Sequence, residues 1–119
     1  MRRFALAVML LAGCGQSSTP QTSAACDYGT AADATQVLLD YYSFIPHCFR
    51  VTSGTEVTFL NLDQVPHEVQ SDPGQVETFD SGSVTPGGAY KHTFSVDGDV
   101  AMHCAIFPIM KATAFVRTP

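Results

Sequence analysis

The sequence predicts a small all-β domain, and three observations carry that prediction. From about Thr35 onward, short β-favouring runs recur between turn residues, with no long helical period. Turn signals punctuate them at Thr52-Ser53-Gly54, Ser71-Asp72-Pro73-Gly74, Val84-Thr85-Pro86-Gly87-Gly88 and Asp97-Gly98-Asp99. In the clearest runs apolar and polar residues alternate, as in a strand with one buried face. Short strands at this spacing suggest a sandwich or a barrel. With 119 residues in all, the chain has the length of one domain.

The N-terminus stands apart from that domain. Met1-Arg2-Arg3 is basic, and Phe4 to Ala12 is an uncharged apolar run too short for a permanent membrane span. This reads as an export signal. Its end, Leu11-Ala12-Gly13-Cys14, resembles the lipobox of bacterial lipoproteins. That resemblance implies acylation of Cys14 as the mature N-terminus and attachment to a membrane through the lipid. An ordinary secretory signal with an incidental cysteine, or an uncleaved apolar start, are the alternatives. The expected organisation is a signal peptide over residues 1–13, a tether over 14–25 and the domain over 26–119. The tether, rich in Gly, Gln, Ser and Thr, cannot bury a core.

Cleavage before Cys14 would remove Arg2 and Arg3 and no acid, moving the formal net charge from −5 to −7. An acidic surface disfavours nucleic acid and anionic lipid as partners and suits a basic protein. Export also makes a disulfide permissible. With Cys14 assigned to lipid and Cys104 to a different loop, Cys26 and Cys48 remain to pair. Two free thiols are the alternative.

Taken in order, Gln36 to Tyr42 is the first expected strand, and Phe49-Arg50-Val51 leads into the Thr52-Ser53-Gly54 turn. In Thr55 to Asn61, Val57 and Phe59 share one face and Glu56 and Thr58 the other. By the same parity Cys48 points away from Phe49 and Val51, so a bridge to Cys26 would pin the N-terminal segment outside the sheet. Asn61 to Pro66 is a loop, and His67-Glu68-Val69 starts another extended stretch. Tyr90 to Val96 alternates, which puts His92 on the face of Tyr90 and Phe94 as a hydrogen-bonded core histidine. Val100, Met102 and Cys104 share a face, and His103 points to the other. His47 sits in a loop.

The segment from Met102 to Met110 organises the functional reading. Cys104 and Met110 place a thiol and a thioether with five residues between them, Pro108 among these, so both can converge on one soft ion. Thiolate and thioether favour copper, and Cys with two His and a long axial sulfur is a blue-copper site. His67 is the best imidazole available. Taken singly, Cys104 would be a small buried hydrophobe and Met110 core packing.

The ordered set is more specific than its parts. Phe44-x-Pro46, Gly54-Thr55-x-Val57-x-Phe59-x-Asn61-x-Asp63, Pro66-His67, Phe79-Asp80-Ser81-Gly82, His92-Thr93-Phe94 and Cys104…Met110 occur in one order. That order resembles the plastocyanin/pseudoazurin group of cupredoxins from Phe44 to Val116. The resemblance implies a Greek-key β-sandwich with mononuclear copper at one end and electron transfer with redox proteins of the cell envelope. By position, His67 would be the first imidazole ligand, Cys104 the thiolate and Met110 the axial thioether. The family's second histidine falls on Phe107, which has no donor atom.

Three ligands poor in imidazole suit Cu(I), whereas Cu(II) wants a further nitrogen or oxygen. An envelope electron carrier, a Cu(I)-holding or delivery module and a metal-free interaction domain are therefore the three expectations. An enzyme is not expected: no Ser/His/Asp set, paired carboxylates or phosphate-binding glycine loop is present.

Overall fold

The computed structural model describes residues 25–119. Residues 1–24, with the expected signal peptide, Cys14 and nearly all of the tether, lie outside the described residues. The strands are β1 (Ala32–Asp33), β2 (Gln36–Asp40), β3 (Ser43–Ile45), β4 (Cys48–Thr52), β5 (Thr55–Asn61), β6 (Val69–Ser71), β7 (Ala89–Phe94), β8 (Gly98–Cys104) and β9 (Lys111–Arg117). They form two sheets, ordered β1-β4-β9-β8-β6 and β3-β2-β5-β7. Both are mixed: β4 runs parallel to β1 and β9, and β2 runs parallel to β5, while the other pairs are antiparallel.

Strand alternation decides what fills the sandwich. Val37 and Leu39 of β2, Phe49 and Val51 of β4, Val57 and Phe59 of β5, and Val100, Met102 and Cys104 of β8 all point inward and are buried. The Phe49 ring meets Phe59 and Phe94 edge-on at centroid distances of 6.4 and 6.1 Å. Such T-shaped pairs add to the burial of large apolar area.

Cys26 and Cys48 are joined by a disulfide. Cys48 alternates with the inward Phe49 and Val51, so the bridge holds the N-terminal segment against the outer face. Tyr28 there packs on Phe115 at 5.8 Å and lies beneath the guanidinium groups of Arg50 and Arg117. That cover explains why Phe115 is buried although it alternates with the inward Ala114 and Val116. The bridge spans 22 residues, a loop whose closure contributes about 3 kcal/mol by restricting the unfolded chain. A Cys26→Ser, Cys48→Ser double variant is expected to lose about that much in a urea melt. An unchanged midpoint would contradict a stabilising bridge.

The structure corrects the strand boundaries in several places. β2 ends at Asp40, not Tyr42. Asp40 pairs with Ser43, leaving Tyr41 and Tyr42 as a two-residue hairpin loop with φ of 52° and 53°. Both residues lie in the left-handed region, the pattern of a type I′ turn that normally selects Asn-Gly. β7 ends at Phe94, so Val96 is not on the strand and is exposed, and β8 already begins at Gly98. β1 and β3 are additional short strands, held by parallel pairing to β4 and by the Tyr41–Tyr42 hairpin respectively.

Candidate metal centre

β8 carries Cys104 to one end of the sandwich, where its register partner on β6 is Val69. The chain entering β6 passes through His67, which bridges to Val84 by His67 N–H to Val84 O at 3.0 Å and Val84 N–H to His67 O at 2.7 Å. Two strand ends are thereby brought side by side. The His67 Nδ1 lies 3.5 Å from the Cys104 Sγ, and both side chains are 0% exposed. The Glu68 backbone N–H donates to the same sulfur at 3.4 Å. This N–H holds the sulfur in place beside the imidazole.

The other face of the imidazole is also fixed. His67 Nε2 lies 2.7 Å from Asp63 Oδ2. An ionised carboxylate only accepts hydrogen bonds, so Nε2 carries the proton and Nδ1 directs its lone pair to Cys104. Asp63 also accepts Tyr41 N–H at 2.9 Å and Tyr42 N–H at 3.0 Å. Burial pushes its carboxyl pKa up, but the bonds from His67, Tyr42 and Tyr41 outweigh that and hold it below the usual aspartate value. Buried Asn61 braces the loop, donating from Nδ2 to Val65 O and Val84 O and accepting Asp63 N–H, each at 2.9 Å.

Met110 closes the second loop. Its carbonyl accepts Cys104 N–H at 3.0 Å, its own N–H donates to Phe107 O at 2.9 Å, and its side chain is buried in the core cluster that contains Cys104. Phe107 packs its ring on His67 at 5.5 Å, and Tyr42 meets Phe107 edge-on at 5.0 Å and His67 at 6.0 Å. Two aromatic rings therefore roof the His67–Cys104 pair.

The separation of the His67 and Cys104 donor atoms is compatible with a shared metal ion. Bonds of about 2.0 Å to imidazole and about 2.3 Å to thiolate, at a tetrahedral angle, separate the two donor atoms by roughly 3.5 Å. The structure has 3.5 Å. A His–Cys contact oriented by Asp63 also has the layout of an activated thiol, but both side chains are sealed from solvent. Four surface clefts among the described residues are lined by other side chains.

Among solved structures, the chain is similar to an amicyanin variant in its Cu(I) form, at 25% identity and a TM-score of 0.65, covering 75% of this chain and 88% of amicyanin. A purple cupredoxin from Nitrosopumilus maritimus matches at 25% identity and a TM-score of 0.62, over 71% of this chain and 99% of its own length. The chain has a cupredoxin fold. A Cu-containing nitrite reductase from Thermus scotoductus SA-01 aligns at 27% identity and a TM-score of 0.67 over 72% of this cupredoxin-like chain. The chain spans only 23% of that reductase. No protein-family profile matches the sequence, and no curated protein sequence does.

The remaining histidines of this cupredoxin-like domain have other partners. His103, pointing away from Cys104, has Nδ1 2.6 Å from Asp72 and Nε2 3.1 Å from Gln70. His92 is half-buried, bonded to Glu77 at 2.6 Å and tilted against Phe79 at a centroid distance of 4.4 Å. Both therefore pin the segment between β6 and β7, which sequence reasoning did not anticipate. Exposed His47 lies near Cys26 and Cys48, with donor atoms within 4.8 Å of one another. Those two sulfurs are bonded to each other and offer no thiolate, so this group is not a metal site in the oxidised chain.

Proposed function

We propose that the protein binds one copper ion through His67 Nδ1, Cys104 Sγ and the Met110 thioether, and works as an electron carrier of the cell envelope. The 3.5 Å His67–Cys104 contact carries this reading. Copper in that position would supply one-electron exchange. Glu68 N–H and Asp63 fix the two inner donors before any ion arrives, which lowers the reorganisation that binding requires. Phe107 and Tyr42 keep water off them. The basic, apolar N-terminus ending in Leu11-Ala12-Gly13-Cys14 supports a lipid anchor, with the domain held near a membrane and redox proteins as partners.

Phe107 favours a second reading, a module that holds or delivers Cu(I) without fast redox cycling. A three-donor set rich in sulfur is adequate for Cu(I) and incomplete for Cu(II). Titration of the protein with Cu(I) and with Cu(II), followed by visible absorption and voltammetry, separates the two. One equivalent bound in both states, with an intense thiolate-to-copper band and a reversible wave, is expected of the carrier. Cu(I) uptake with no Cu(II) band would select the holding module. Uptake of neither ion would sink the copper reading.

A further inference from the structure

We propose that Asp63 is a positioning residue that joins the strained Tyr41–Tyr42 turn to the candidate metal centre and fixes the His67 tautomer. The inference rests on the copper reading only for its effect on metal binding. Its effect on the imidazole belongs to the metal-free protein.

Two consecutive bulky residues with positive φ are unusual, and each is a strained position for a side chain with a Cβ. Tyr-Tyr has none of the Asn-Gly chemistry that a type I′ loop selects, and the local support comes from its neighbours: Asp40 Oδ1 accepts Tyr41 N–H at 3.0 Å and Ser43 Oγ donates to Tyr41 O at 3.2 Å. The remaining compensation is tertiary. The successive N–H groups of Tyr41 and Tyr42 point to one side and cradle an anion, and both Asp63 oxygens occupy that cradle at 2.9 and 3.0 Å. Asp63 is placed to receive them by two further bonds of its own N–H, to Asn61 Oδ1 at 2.9 Å and to Leu39 O at 3.2 Å.

One carboxylate therefore serves two clients. Oδ2, which accepts Tyr42 N–H, also accepts His67 Nε2–H. With Nε2 protonated, Nδ1 is left as the free donor facing Cys104 Sγ. The turn in return sets the Tyr42 ring over Phe107 and His67, while Tyr41 projects outward with 81% of its surface exposed. Asp63 is thus the one side chain that touches both the hairpin and the imidazole, and a carboxylate behind the imidazole adds negative charge that favours the higher-charged ion.

The test begins with nitrogen-15 NMR of the metal-free protein, which reports which ring nitrogen of His67 carries the proton. The Nε2–H form is expected. Finding Nδ1–H overturns the proposal without any variant. Asp63→Asn keeps the size but leaves one oxygen for three donors, so a mixture of tautomers is expected. Copper affinity should then fall roughly 10–100-fold, with a raised reduction potential. Tyr41→Asn, which suits a left-handed position and touches neither His67 nor Asp63 through its side chain, should leave tautomer and affinity within about twofold of the parent. An Asp63→Asn protein with the parent tautomer and affinity also overturns the proposal. If the parent binds no copper but shows the Nε2–H form, shifted in Asp63→Asn, the copper reading fails and the positioning role stands.

Discussion

A Cys104→Ser variant is expected to lose copper binding altogether, by more than the roughly 10–100-fold that changes behind a ligand produce. The reason is chemical. A serine hydroxyl stays protonated at neutral pH and is a hard oxygen, whereas Cu(I) selects soft sulfur. The substitution is close to isosteric at a fully buried position, and Glu68 N–H remains available as a donor to the new oxygen. Loss of stability should be limited to the about 1–3 kcal/mol that an imperfectly paired buried hydroxyl brings. Near-UV circular dichroism and a cooperative thermal transition would show that the fold survives. Isothermal or competition titration would then read the affinity. Uptake unchanged from the parent protein would place the metal elsewhere, on a surface histidine such as His47, and would remove Cys104 from the proposed site.

Much of this arrangement was legible in the sequence because strands write their burial in a period of two. Val57 and Phe59 against Glu56 and Thr58, or Met102 and Cys104 against His103, already give the inward and outward sets that the sandwich displays. The contact of His67 with Cys104 was legible only through the ordered motifs, since the two lie 37 positions apart in the chain and no local rule brings them together. Tyr41 and Tyr42 misled for a physical reason. Aromatic residues favour strands, and their turn is held in part by a carboxylate 21 and 22 residues away that accepts its N–H groups. β1 has only two residues and no alternation to read. Asp63 stood four residues before His67 in plain sight. Its role depends on the loop braced by Asn61, and that bracing is tertiary.

Phe107→His is the converse experiment, and it is expected to add a function to the domain. Two imidazoles bound to one ion at about 2 Å per nitrogen have ring centroids about 5 Å apart. The Phe107 and His67 rings are 5.5 Å apart and inclined at 68°, so a histidine in the same place needs little movement to share an ion with His67. The loop that carries it is already closed by Met110 N–H to Phe107 O and Cys104 N–H to Met110 O. Tyr42 contributes only an edge to the Phe107 ring, a contact an imidazole can also make. Completing the donor set stabilises Cu(II) more than Cu(I). Cu(II) affinity should rise at least about tenfold, the equivalent of 1.4 kcal/mol. The reduction potential should fall, and an intense blue band should appear on addition of Cu(II). A band that appears only in this variant would mean that the scaffold keeps a blue-copper geometry which Phe107 holds in favour of the reduced ion. A colourless variant that still folds would mean that the His67–Cys104 end cannot bring a fourth donor into register. Phe107 would then be filling space in a domain built for another task.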